Sequence, residues 1–212
     1  MELKDLLEKN DVDFCIIGNS PKELGQGNGE KIDSHKLILR FNDFSTSPDF
    51  YKDYGRRTSV WIRGSNDKNI YTMEEKKKHI KNFDLTVMRA KRAWSDKFRA
   101  YMKENKLPLF IFPINYEIEL SKKLKFSPST GLLTLYYIRK NFGKIDRSRV
   151  YGFSFCKENR SKNADGGQVH YYNKGNLINP FTNKEEKIKK TFLVSRHLWH
   201  REEEFFKKEL IL

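Results

Sequence analysis

Four short segments of this 212-residue chain carry side chains suited to acid–base work or anion binding. His197 stands five residues before Glu202. An imidazole there suits a general base, because a neighbouring carboxylate raises its basicity. His170, followed by Tyr171 and Tyr172, sets one imidazole beside two phenols, a group that can donate several hydrogen bonds to an anion. The same run also reads as a strand with aromatic packing. Pro128-Ser129-Thr130-Gly131 puts two hydroxyls and a glycine at a predicted helix start. Side-chain and backbone donors meet the positive end of the helix dipole there, a setting that suits ribose or phosphate oxygens. A plain helix cap is the alternative. Gly18-Asn19-Ser20 ends an apolar run and leads into Gly25-Gln-Gly-Asn-Gly29. A strand followed by a glycine-rich loop is a recurring way to aim backbone donors at a phosphate. A simple surface loop fits the pattern as well. The glycines do not match G-x-G-x-x-G, and the lysine-bearing phosphate loop is absent, which argues against an ATPase or GTPase.

Other constellations carry less. Asp11-Val-Asp13 looks like a metal-holding aspartate pair, but it precedes the first strand instead of following a later one. Asp33, Ser34 and His35 are a triad in composition only, since sequence neighbours rarely meet in that geometry and no G-x-S-x-G elbow exists. His197, His200 and Glu202 lack the H-E-x-x-H or paired-cysteine spacing of a zinc site. No metal ligands are assigned.

The elements that must position these groups alternate. Strands are predicted at 13–17, 36–41, 58–62, 85–88, 109–112 and 149–153, from short apolar runs closed by glycine, proline or polar residues. Helices are predicted at 96–105, at 131–141 behind the caps Ser129 and Thr130, and at 199–210, where acidic residues precede lysines in the order the helix dipole favours. Alternating strands and helices predict an α/β domain with a mostly parallel sheet. No linker or repeat divides the chain, so residues 1–212 read as one domain.

Composition bounds the partners. The 42 Lys and Arg against 28 Asp and Glu give a net charge of +14. Nucleic acid, an anionic membrane surface and an anionic small substrate all fit that balance. No nucleic-acid motif is present and the aromatics do not form a stacking sheet, so nucleic acid is not expected. A non-catalytic nucleotide-binding module is a further alternative, which the two histidines argue against. No run is long and apolar enough to span a membrane, and the charged N-terminus is no signal peptide. Two cysteines, Cys15 and Cys156, are expected as free thiols in a cytoplasmic protein.

Taken in order, these segments resemble the motifs of the animal-type sialyltransferases, glycosyltransferase family 29. Cys15-Ile-Ile-Gly-Asn-Ser20 through Leu39-Arg-Phe-Asn42, with a tail at Asp53-Tyr-Gly-Arg-Arg-Thr58, is similar to their large motif. Pro128-Ser-Thr-Gly131 through Tyr151-Gly-Phe153 resembles the small motif, His170-Tyr-Tyr172 the third, and His197 with Glu202 the very short one. The resemblance implies a single Rossmann-like fold, a GT-A-like variant. It implies a donor of CMP-sialic acid, or of CMP-Kdo with the same nucleotide, and a glycan or glycolipid hydroxyl as acceptor, with no metal or other cofactor. Asn19 and Asn42 would hold the CMP phosphate, with Ser20 beside them in the same motif. Ser129, Thr130 and Gly131 would meet ribose and phosphate. Tyr151, Gly152 and Phe153 would line the nucleotide pocket, with Tyr171 adjoining. His170 would bind the departing phosphate, and His197 would be the base. The family's disulfide partner for the Cys15 position falls near Phe142, so that bridge is missing. Its absence points to a cytosolic, microbial member, whose basic surface would touch an anionic membrane face.

Overall fold

A computed structural model of the chain describes residues 1–42, 44–64, 79–90, 95–155, 177–178, 185–186 and 198–212. The main sheet has six strands: β1 (Phe14–Ile17), β2 (Leu37–Phe41), β3 (Val60–Arg63), β4 (Leu85–Met88), β5 (Leu109–Ile111) and β6 (Val150–Tyr151). Their order is β5-β4-β3-β2-β1-β6, and every pair is parallel. The α/β prediction holds. Every residue of β1, β2, β3 and β4 is buried, as expected of parallel strands covered on both faces. A separate antiparallel pair, β7 (Leu177–Ile178) and β8 (Glu185–Glu186), lies outside this sheet.

Side chains alternate across the sheet and divide the core. On one face Phe14, Ile16, Val60 and Val87 pack with Leu3, Leu6 and Leu7 of α1 (Leu3–Lys9) and with the two helices before β6, α5 (Ile114–Leu124) and α6 (Thr130–Phe142). On the other face Cys15 and Ile17 meet α2 (Gly29–Asp33) and α3 (Tyr51–Tyr54), and Trp61 and Met88 meet α4 (Ser95–Glu104). Helix α6 buries residues on all sides, because it lies between the sheet and α5 with the C-terminal segment over it. That segment is α7 (Trp199–Phe205), followed by a π-turn at Phe206–Leu210.

Charges inside this core need partners, and Arg40 and Glu23 show how they are met. Arg40, fully buried in β2, donates from Nε to the Arg57 carbonyl at 3.0 Å and from Nη2 to the Tyr54 carbonyl at 2.6 Å. Glu23, 5% exposed, accepts the Gly152 N–H at 2.9 Å and the Asn28 side-chain amide at 2.9 Å.

Cys15 is a free thiol whose Sγ lies 3.7 Å from the Ile32 carbonyl. Burial pushes it up to about 12, so it stays protonated. Phe142 packs against the opposite face of the sheet. The residues of β1 that share a face with Phe142 are Phe14 and Ile16, and a bridge from Cys15 to that position would have to cross the sheet. Cys156 lies outside the described residues.

Candidate active site

The chain runs outward from β1 to β5 and then returns to lay β6 on the other side of β1. That reversal opens a crevice at the carboxyl ends of the strands, the usual ligand position in an open parallel sheet. The loops leaving β1, β2, β3 and β6 end there. They carry Asn19, Asn42, Gly64 and Phe153 respectively.

Asn19 leaves β1 and reaches across to β2, donating from Nδ2 to the Phe41 carbonyl at 3.0 Å. Its Oδ1 is buried and has no partner among the described residues. An acceptor left in that state is unfavourable unless a ligand hydroxyl or amide donates to it. Asn42 follows β2 with φ +49°, a left-handed conformation that asparagine tolerates better than most residues. Its Oδ1 accepts the Gly64 N–H at 2.6 Å, and its backbone carbonyl accepts Trp61 Nε1 at 2.8 Å. The side-chain NH2 remains as a donor. Gly64 stands between Asn42 and the start of α6: a Cβ there would lie 3.0 Å from Asn42 Oδ1 and 3.0 Å from Thr130 Oγ1. The structure thus brings Asn19, Asn42 and Thr130 together. Gly64 belongs to this cluster although the motifs do not include it, and its signal was a glycine closing an apolar strand, as at Gly18.

Helix α6 begins at this cluster. Ser129 caps it, with Oγ accepting the Leu132 N–H at 3.2 Å, and its carbonyl accepts the Leu133 N–H at 3.0 Å. Thr130 and Gly131 N–H, in the first turn, are the donors the cap does not use. Ser129 itself is committed elsewhere. Its N–H donates to Glu202 Oε1 at 2.8 Å and its Oγ to Glu202 Oε2 at 2.5 Å. The fully buried Glu202, predicted to sharpen a histidine, ties the first turn of α7 to the start of α6. Gly131 is required by packing, since a Cβ would lie 2.8 Å from the Phe153 ring. Phe153 lies edge-on to Phe41 at 5.9 Å and forms a wall beside the helix start.

The remaining predicted residues build the seam between β1 and β6. Gly18 N–H donates to the Tyr151 carbonyl at 2.8 Å, and Ser20 N–H to the Gly152 carbonyl at 3.1 Å. The Ser20 hydroxyl accepts from Lys22 N–H, and its carbonyl accepts Tyr54 Oη at 2.5 Å. Tyr151 packs with Cys15, Ile17 and Ile32, and burial pushes its phenol up to about 12. Its Oη has no partner among the described residues. His170, Tyr171 and His197 lie outside the described residues. His200 is exposed, and no group of three metal-ligating side chains occurs among the described residues.

The glycine-rich loop does bind an anion, but one of the chain's own. Gly25 N–H and Gly27 N–H donate to the two oxygens of Asp53, each at 2.8 Å. Both glycines have positive φ, which turns their N–H groups to one side. With these two amides taken, the segment fits the surface-loop alternative. The decoys separate too. Asp13 accepts from His35 Nδ1 at 2.7 Å, which holds its carboxyl below the usual range, and Asp11 pairs with Lys36. Asp33 accepts Arg56 and Arg57 N–H, and Ser34 Oγ donates to the Lys31 carbonyl.

With this geometry in place, comparison with known proteins is informative. Residues 3–108, half of the chain, match the model of glycosyltransferase family 29 (sialyltransferase). The fold is similar to the crystal structure of a mammalian sialyltransferase, with TM-score 0.59 and 18% identity over 95% of this chain and 68% of that one. A mammalian sialyltransferase in complex with Gal-β-1-3GalNAc-ortho-nitrophenol matches with TM-score 0.50 and 17% identity, over 74% of this chain and 58% of that one. No curated protein matches by sequence. The six-stranded parallel sheet with flanking helices is a Rossmann-like α/β fold. The chain belongs to glycosyltransferase family 29, the sialyltransferases, and is a glycosyltransferase.

Proposed function

We propose that this glycosyltransferase moves sialic acid from CMP-sialic acid onto a hydroxyl of a glycan or glycolipid, with inversion, a histidine base and no metal cofactor. The observation that carries this reading is the convergence of Asn19, Asn42 and the Thr130-Gly131 helix start at the crevice of the sheet. Cleavage of the sugar–phosphate bond leaves negative charge on CMP and positive character on the anomeric carbon. Donors fixed before the reaction stabilise such charge most effectively. The Thr130 and Gly131 N–H groups and the Asn42 NH2 are of that kind, and the helix dipole adds to them.

His170 completes the phosphate contacts, and His197 takes the proton of the attacking hydroxyl. Glu202 supports the role of the segment around His197, because it anchors the helix that follows to the donor helix start. The described donors at the crevice are neutral amides and a hydroxyl, and Asp11 and Asp13 already have partners. The buried free thiol of Cys15 suits a cytoplasmic setting, and the +14 charge would draw the protein to an anionic membrane face bearing acceptors.

The donor reading is tested by thermal unfolding in EDTA. CMP at about 100 times its Kd is expected to raise Tm by about 5–10 °C, because it binds only the folded chain. An unchanged Tm with saturating CMP, with and without magnesium, would contradict it.

A further inference from the structure

The peptide unit joining Pro128 to Ser129 is held at both ends by charged side chains from distant parts of the chain. Its carbonyl accepts from Arg89 Nη1 at 2.9 Å, and its N–H donates to Glu202 at 2.8 Å. Arg89 follows β4, 39 residues earlier, and Glu202 lies in α7, 73 residues later. Arg89 is itself fixed by Glu117 in the first turn of α5, with Nη2 2.5 Å from Oε1 and Nε 3.4 Å from Oε2. The two side chains are only 9% and 3% exposed. A longer contact, 3.4 Å from Nη2 to Ser127 Oγ, reaches the same loop.

One planar guanidinium therefore ties β4, α5 and the entry to α6 together. Its rigid fork meets Glu117 through Nε and Nη2 and the Pro128 carbonyl through Nη1, a planar spread that the compact ammonium of a lysine does not reproduce. A buried ion pair adds little stability over apolar packing of the same volume. Geometry is the better reason for it. Turning the Pro128–Ser129 peptide would rotate the Ser129 cap and redirect the Thr130 and Gly131 N–H groups beside it.

We propose that Arg89, held by Glu117, is a positioning residue of the donor site, setting the orientation of this peptide against Glu202. The inference rests on the α6 start being where CMP binds. The test is calorimetric titration with CMP of wild type, Arg89→Lys, Glu117→Gln, Glu202→Gln and the Arg89→Lys/Glu202→Gln double variant, each checked by near-UV circular dichroism.

Arg89→Lys and Glu202→Gln are each expected to raise the CMP Kd about tenfold with the fold intact, the size expected when about one hydrogen bond to the ligand is lost. Glu117→Gln keeps the shape and should lose less. The double variant should stay close to tenfold, because both changes release the same peptide and such effects do not add. Wild-type affinity in Arg89→Lys, or a loss of about a hundredfold in the double variant as for independent sites, would overturn the proposal. If Arg89→Lys does not fold, Glu117→Gln decides, and wild-type affinity there overturns it equally. Failure of the wild type to bind CMP is a separate result that removes the donor reading itself, and this proposal with it.

Discussion

Replacing His197 by alanine is expected to slow sugar transfer about 100- to 10,000-fold, the usual contribution of a positioned proton acceptor. CMP should still bind, because the nucleotide contacts proposed here come from other residues. The attacking hydroxyl is a weak nucleophile, and it must lose its proton as the bond to the anomeric carbon forms. A neutral imidazole at that point does this near neutral pH. The rate of the wild type should accordingly fall as pH drops and the imidazole gains a proton, and the alanine variant should lack that limb. Initial rates of wild type and variant across pH, with CMP affinity measured alongside, check both halves. A variant with full activity would remove His197 as the base. A variant that has lost CMP binding would make the residue a donor contact.

The second large effect concerns folding. Gly152 has φ +64°, and a Cβ there would lie 2.3 Å from the Gly18 carbonyl oxygen. The reverse holds as well, with a Cβ on Gly18 lying 2.2 Å from the Gly152 carbonyl oxygen. Neither obstacle is a flexible side-chain end, so β1 and β6 would have to separate. That movement breaks the Gly18 to Tyr151 and Ser20 to Gly152 hydrogen bonds and pulls Gly152 N–H from buried Glu23. Gly152→Ala is expected to lose about 3–5 kcal/mol of stability, from left-handed strain and overpacking together. Urea denaturation followed by circular dichroism measures it. A midpoint equal to that of the wild type would show that the seam relaxes without strain.

The six main strands were legible because each is a short apolar run, and β1 to β4 are buried on both faces, which is what a parallel sheet demands. Their ends were less legible. The predicted strand 149–153 stops at Tyr151, because the left-handed Gly152 turns the chain into the seam. Helix α5 was not predicted at all. Its buried residues are Glu117, Leu120 and Leu124, while Ile114 and Ile118 are about 40% exposed. That arrangement reverses the usual polar-out pattern, and a buried Glu117 is tolerable because Arg89, distant in sequence, pairs with it.

Site legibility divides along the same line. Asn19 and Asn42 stand just past strand ends and Thr130 and Gly131 at a helix start, positions readable from the sequence because such ends are local features. The roles of Glu202 and Asp53 were not readable there, because each depends on a contact made by folding. Glu202, read from the sequence as the neighbour of a histidine, also holds a serine 73 positions away. Three glycines looked like a phosphate cradle, and two of them grip an aspartate of α3.

The most direct test of the sialyltransferase reading is product mass. The protein would be incubated in EDTA with a galactose-terminated glycan panel and either CMP-sialic acid or CMP-Kdo. A product heavier by one sialic acid residue, formed from the first donor with release of CMP and lost in His197→Ala, is the predicted result. A product from CMP-Kdo alone, or transfer only after divalent metal is restored, would contradict it.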